Sequence, residues 1–303
     1  MTPSLRRRLY KDRYLFLLAM PGILYFVIYK YLPMAGIAIA FQEYSPFLGF
    51  MKSPWVGFDQ FRALFAESEL SRVMWNTLVL SFMQIAFAFP APILLALMLN
   101  ELRNELFKRF VQTVVYLPHF LSWVFVVGIF IIFLRGEGLI NNFLEVYFHQ
   151  TEPVGFLSNP HFFRPLIVLQ VIWKEVGWGT ILFLAALAGI NPDLYEASTM
   201  DGANRWRKIW HVTLPGIRST IIILLIIRLG HVMDSGFEQL FLMRSAYNKE
   251  IAEVLDTYVY YKGIDQSNYS FATVVGVFKG VIGCILVLGA NRIAKKYGEQ
   301  GIY

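Results

Sequence analysis

The chain has 303 residues, of which 56% are hydrophobic and 16% charged, and its mean hydropathy is +0.51. That is too apolar for a soluble domain of this length and assigns the chain to a bilayer. A net charge of +6 does not make a nucleic-acid surface here, because Lys and Arg cluster beside apolar runs rather than along one polar face. The lone Cys284 lies inside an apolar run, which excludes an internal disulfide, and no Cys/His cluster has metal-ligand spacing.

Six apolar windows reach or approach the ~20 residues needed to cross the hydrocarbon core: 15–40, 76–99, 111–134, 165–190, 217–236 and 271–291. They predict an all-α membrane protein with six transmembrane helices, a cytoplasmic N-terminal segment 1–14 and a single transmembrane domain over 15–303. The first window has the basic start and the Ala38-Ile39-Ala40 triplet of a signal peptide. Its length exceeds a signal h-region, and Tyr25, Tyr29 and Tyr31 suit a spanning helix. An even number of spans puts both termini on one side. With the N-terminus inside, the inner segments hold Arg6, Arg7, Arg8, Lys11, Arg13, Arg103, Lys108, Arg109, Arg205, Arg207, Lys208, Arg218, Arg292, Lys295 and Lys296. The outer segments hold Lys30, Lys52, Arg62, Arg72, Arg135, Arg164, Arg244, Lys249 and Lys262. This excess inside is the orientation that the positive-inside rule favours. The longer outer segments, such as SPFLGFMKSPWVGF at 45–58, predict short interfacial or plug-like elements.

Span two carries Gln84 and the possible kink sites Pro90 and Pro92. Span three carries His119, just after Pro118, with Ser122 and Trp123. Span four carries Gln170, Trp173, Lys174, Glu175 and Trp178, with Gly177 and Gly179 able to thin it. Gln170, Lys174 and Trp178 share one helical face at i, i+4, i+8 spacing. Span five carries Arg228, His231 and Asp234; Glu238 and Gln239 follow it; span six carries Lys279. At about 1.5 Å per residue, Lys174 and Arg228 both fall near the midplane. Charges there mark a pathway or a buried pair. As a lock, Glu175 would pair with Arg228, or Lys174 with Asp234.

Between spans four and five lies EASTMDGANRWRKIWHVTLP at 196–215, a polar island in apolar surroundings. Asn191-Pro192-Asp193 starts a helix to about Met200. Gly202 turns the chain, and a second amphipathic stretch, Asn204–Val212, runs to a stop at Leu214-Pro215. Trp206, Ile209 and Trp210 share a face, with Arg205, Arg207 and Lys208 around them. The physics allows either an interfacial hairpin held by anionic lipid or a docking element for a cytoplasmic subunit.

Glu196-Ala197-Ser198, then Gly202 after three residues, then Val212-Thr213-Leu214-Pro215 after nine more, resembles the EAA loop of permease subunits of binding-protein-dependent ABC importers. Ser198 stands for the second Ala of that pattern and Val212 for an Ile. Tyr31-Leu32-Pro33, Phe89-Pro90-Ala91-Pro92-Ile93, Tyr116 to Trp123, Ile172 to Thr180 and Gly236 to Phe241 resemble the sugar-permease branch, and within it permeases for oligosaccharides such as alginate or pectin fragments. The resemblance implies a MetI-like fold, a five-helix core preceded by one extra helix, in a bacterial cytoplasmic membrane with both termini inside. It implies a second homologous permease, two ABC ATPase subunits that hold ATP and Mg, and an extracellular solute-binding protein. This chain has no Gly-x4-Gly-Lys-Ser/Thr sequence and no expected cofactor of its own. A coupling loop over 191–216 would use Glu196, Ala197, Ser198, Asp201, Gly202, Arg205, Leu214 and Pro215 to receive force from the ATPases. The route through the membrane would use Gln170, Trp173, Lys174, Glu175, Trp178, Arg228, His231, Asp234, Glu238 and Lys279. Polar donors beside aromatic rings suit a sugar, and three intramembrane cations against two anions hint at an acidic one. Two other classes stand beside this reading. A self-contained secondary transporter would show repeated broken helices, and a membrane enzyme acting on lipid-linked sugar would show a clustered acid/base set. Neither signature is evident in the sequence.

Overall fold

The structure is a computed structural model describing residues 12–150, 152–299, 301 and 302. Residues 1–11, with Arg6, Arg7, Arg8 and Lys11 of the predicted N-terminal segment, lie outside the described residues. Among the described residues every regular element is helical, apart from one bridge between Gln42 and Trp55. Among the described residues six helical stretches are long and apolar enough to cross a membrane: Arg13–Phe41, Leu70–Asn100, Trp123–Phe148, Pro160–Ala188, Arg205–Gly230 and Tyr269–Lys296. They are spans one to six below.

Span three differs from the predicted window 111–134. A helix over Glu105–Tyr116 gives way to a 3₁₀ turn over Leu117–Phe120 and to extended backbone at Leu121 and Ser122. Pro118 cannot donate to the helical ladder. The Ser122 hydroxyl accepts from the Phe125 amide at 3.3 Å and starts a new helix, Trp123–Leu134. The predicted single helix is therefore two.

Three prolines sit inside continuous helical spans by a shared device. Wider π turns over Val27–Tyr31, Gln84–Ala88 and Ile209–Thr213 each end two residues before Pro33, Pro90 and Pro215. The wider turn moves aside the carbonyl that the proline ring would otherwise strike. The predicted stop at Leu214-Pro215 consequently does not occur. The chain passes from Arg205–Lys208 through the π turn into Leu214–Gly230, so the second half of the polar island is the start of span five rather than a separate short helix.

The chain divides into two compact units. One holds residues up to Glu67 with Val259–Val277. In it the Ser270 hydroxyl accepts from the Tyr44 amide at 2.9 Å and donates to the Gln42 carbonyl at 2.7 Å, and Lys262 pairs with Glu67 at 2.5 Å. The other unit holds Ser68–Tyr258 and the residues from Phe278 onward. Its core packs Leu80, Val127, Phe163, Leu166 and Ile167 against Leu240, Met243, Ala252 and Val254. A second cluster joins Ala96, Phe183, Leu187 and Ile217. The short helix Phe237–Met243, from the segment after span five, thus buries one face, Gln239, Leu240 and Met243, among spans. The segments predicted to lie outside hold short helices, among them Gly49–Lys52, Asp59–Ala66, Leu139–Phe148 and Lys249–Ala252.

Gly177 and Gly179 do not break span four; they let neighbours approach. A Cβ at Gly177 would lie 2.0 Å from the Val115 carbonyl oxygen, and one at Gly179 2.8 Å from the Pro92 ring. Glu253, 2% exposed, faces Arg244 at 3.2 Å and Arg72 at 3.5 Å. Asn76 accepts from Arg164 at 2.9 Å and donates to the Glu250 and Glu253 carbonyls. This buried polar cluster ties residues 250–253 to span two.

Candidate functional site

Two regions of the second unit gather the residues singled out by sequence. The first is the loop after span four. The Asn191 side chain accepts from the Asp193 amide at 3.0 Å and starts the helix Pro192–Met200, with Pro192 in the first turn. The helix ends with Gly202 at φ +75, where the Ala203 amide donates to the Ser198 carbonyl and the Gly202 amide to that of Thr199. This is the double bond of a Schellman stop, and it needs a residue content with positive φ. The Asn204 side chain then caps the start of span five by accepting from the Arg207 amide at 3.0 Å.

Two contacts brace the short helix on span five. Lys208 donates to the Thr199 hydroxyl at 2.8 Å, and the Tyr195 hydroxyl donates to that of Thr213 at 3.1 Å. Glu196 is exposed and, among the described residues, has no hydrogen-bond or ion-pair partner. Beside it runs a groove of about 520 Å³ lined by residues including Ala197, Ser198, Asp201, Arg207 and His211. Trp206 and Trp210 are exposed, whereas Leu214 packs on the core cluster of Ala96 and Ile217. Arg205 and Pro215 are exposed at the start of span five.

The second region is a cavity of about 430 Å³ among spans two, four and five. Span four presents Val171, Glu175, Trp178 and Leu182 to it; span two presents Gln84, Phe89 and Pro92; the end of span five presents Arg228 and His231. Arg228 donates to the Gln84 amide oxygen. The Glu175 carboxylate meets His119 Nδ1 at 2.7 Å and Lys174 Nζ at 3.2 Å. The His119 ring stacks on Trp178 with centroids 4.4 Å apart.

The cavity takes four of the predicted pathway residues: Glu175, Trp178, Arg228 and His231. Gln170 and Lys174 do not line it. Gln170 is fully buried and accepts from Gln239 at 2.7 Å, anchoring the helix Phe237–Met243. Lys174 is 6% exposed, donates to the His119 carbonyl at 2.8 Å and lies over the Trp123 ring. Of the predicted stripe 170/174/178, Trp178 meets the cavity, and span four adds Val171, Glu175 and Leu182 to the same wall. Trp173 packs edge-on against Phe130, and Glu238 is exposed at the start of its helix.

Neither predicted lock forms. Glu175 pairs with Lys174 and His119 rather than Arg228. Asp234 pairs with Lys279 at 2.7 Å and His231 at 3.1 Å rather than with Lys174. Lys279 also pairs with Asp256. Asp256 lies beyond the predicted spans. The spacing Val171, Glu175, Trp178, Leu182 was legible as a helical face, but no signal in sequence brings Asp256 to span six. Among the described residues no cluster of three or more His, Cys, Asp or Glu could hold a metal ion.

The family described as binding-protein-dependent transport system inner membrane component matches residues 88–296. Protein LplB of Bacillus subtilis is 53% identical, the match covering 97% of this chain and 92% of that protein. The polygalacturonan/rhamnogalacturonan transport system permease protein YteP of the same organism is 52% identical, over 98% of this chain and 92% of that protein. In the crystal structure of a bacterial alginate ABC transporter in complex with an alginate pentasaccharide-bound periplasmic protein, one chain superposes with a TM-score of 0.90 at 40% identity. The match covers 99% of this chain and 100% of that one.

Proposed function

Because this chain belongs to the family of binding-protein-dependent transport system inner membrane components, we propose how it works as the permease subunit of an ABC sugar importer. It moves oligosaccharides handed over by an extracellular solute-binding protein, a reading supported by YteP being a polygalacturonan/rhamnogalacturonan transport permease and by the alginate transporter being in complex with an alginate pentasaccharide-bound periplasmic protein. Two ABC ATPase subunits hold ATP and Mg and supply the energy, and a second, homologous permease completes the passage. The chain acts as one permease domain of the inner membrane with both termini cytoplasmic, a reading supported by the excess of Lys and Arg in the inner segments.

The helix Pro192–Met200 is the point where work enters. The single observation that carries this is an exposed, unpartnered Glu196 on a helix braced to span five by Lys208–Thr199 and Tyr195–Thr213. Glu196 supplies the ATPase with a charged contact. Ala197 and Ser198 allow close packing, Gly202 holds the turn, and Asp201 and Arg205 flank it. Leu214 and Pro215 pass the displacement into the core. Because Arg205 begins span five, a push on the short helix reaches the cavity through one continuous helix, and Arg228 and His231 at its far end move with it.

The cavity is the sugar route. Trp178 gives a ring for a C–H face, and Arg228, Gln84 and His231 give hydrogen bonds to hydroxyls. Glu175 is held in place by Lys174 and His119. Asp234 and Lys279 stand at the edge of this set, with Trp173, Gln170 and Glu238 further out.

Capture of the tagged full-length chain from solubilised membranes tests the reading. It is expected to bring down an ATP-hydrolysing subunit, whose retention falls when Glu196→Lys is introduced. Sugar flux driven by an ion gradient through the isolated chain in liposomes would overturn it.

A further inference from the structure

We infer that Arg228, oriented by Gln84, is the residue through which the cavity recognises a carboxylate, so that the sugar taken at this point is a uronate. This rests on the cavity being the sugar route.

Three cations lie in spans four to six, Arg228 near the end of span five rather than at the predicted midplane, and two are compensated. Lys174 is held by Glu175 and the His119 carbonyl. Lys279 sits between Asp234 and Asp256. Arg228 is different: its one described hydrogen bond goes to the neutral amide oxygen of Gln84, and no carboxylate among the described residues is within ion-pair distance. Asp234 has its oxygens on Lys279 and His231. Gln84 is buried, and its amide nitrogen donates to the Ser235 carbonyl at 3.4 Å. Gln84 therefore fixes the guanidinium without neutralising it.

With Asp256 included, the three cations Lys174, Arg228 and Lys279 face three anions, Glu175, Asp234 and Asp256, so the sum of charges no longer favours an acidic sugar. What matters is which charges face the cavity. Two do: Arg228 and Glu175. Both Glu175 oxygens are occupied, one by His119 and one by Lys174, which blunts its repulsion of an incoming anion. A guanidinium has five donors in a planar fork that matches a carboxylate in bidentate fashion, and Arg228 has donors left over. Trp178, half exposed on the same wall with His119 against one face of its indole, provides the apolar surface. A uronate ring offers both complements, a carboxylate and a C–H face; a neutral hexose offers only the second.

Uptake by cells expressing the intact transporter tests this with two probes, trigalacturonate and galactotriose. Arg228→Gln is expected to lower trigalacturonate uptake on the order of tenfold more than galactotriose uptake, the loss of a charged hydrogen-bonded contact. Gln84→Glu keeps the guanidinium but gives it an anionic partner, and is expected to shift the ratio the same way. Membrane levels of each variant are measured alongside. Equal losses for both probes, or a wild type that takes up galactotriose but not trigalacturonate, would overturn the inference and leave the importer reading standing. A wild type that takes up neither overturns it too, and the ATPase capture then decides separately whether the chain serves an importer.

Discussion

Glu175 and Lys174 are adjacent in sequence, yet their roles divide because successive residues of a helix point about 100° apart. Glu175 faces the cavity and Lys174 the packed side, where it reaches round to the carboxylate and to the His119 carbonyl. The same logic explains why Gln170 holds a neighbouring helix instead of a ligand. Lys279 is the clearest locking residue, since it sits between two carboxylates. Lys279→Met leaves Asp256 without its cation and is expected to cost about 3 kcal/mol. The loss is read as a lower melting temperature of the detergent-solubilised protein, with partial recovery when Asp256→Leu is added. At the other site, Glu196→Lys is expected to leave the amount of protein in the membrane unchanged while sugar uptake falls at least tenfold. Uptake at the normal rate would remove Glu196 from the coupling contact.

At the scale of elements, prolines decide where helices continue and where they stop. Pro33, Pro90 and Pro215 follow π turns and stay within spans, whereas Pro118 precedes an extended pair and ends a helix. Sequence alone offers the same signal in each case; what differs is whether a wider turn precedes the proline. Glycines decide how closely elements approach. Gly177→Leu would drive a side chain into the Val115 carbonyl and is expected to destabilise the chain by at least ~1–3 kcal/mol, seen as poor recovery from membranes. Gly202→Val has open space around it but a φ of +75, which a β-branched residue resists by about 1–2 kcal/mol. It is expected to unsettle the turn after the short helix and reduce uptake, while the melting temperature of the span bundle changes little.

For the whole molecule, the proposed orientation makes a direct prediction. Trypsin should cut at Arg205 or Arg207 in inside-out vesicles and spare them in right-side-out ones. Cleavage in the opposite set would reverse the topology and remove the coupling role of 191–216. Much of this protein was legible from residue order. Runs of about 20 apolar residues can satisfy their backbone only as helices in lipid, so the all-helical class and the number of spans follow from local composition. The loop motif and its Asn191, Gly202 and Asn204 signals are likewise local, because caps and positive φ act within a few residues. The third span shows the limit: its apolar run concealed a break, since hydropathy does not record backbone hydrogen bonding. Only the tertiary structure decided that Glu175, Trp178, Arg228 and His231 share a cavity, that Asp256 neutralises Lys279, and that Arg228 is left facing a neutral amide. Which side chains meet depends on the rotation and mutual approach of helices far apart in sequence, set by contacts such as Gly177 on Val115 and Gly179 on Pro92 that no residue spacing encodes.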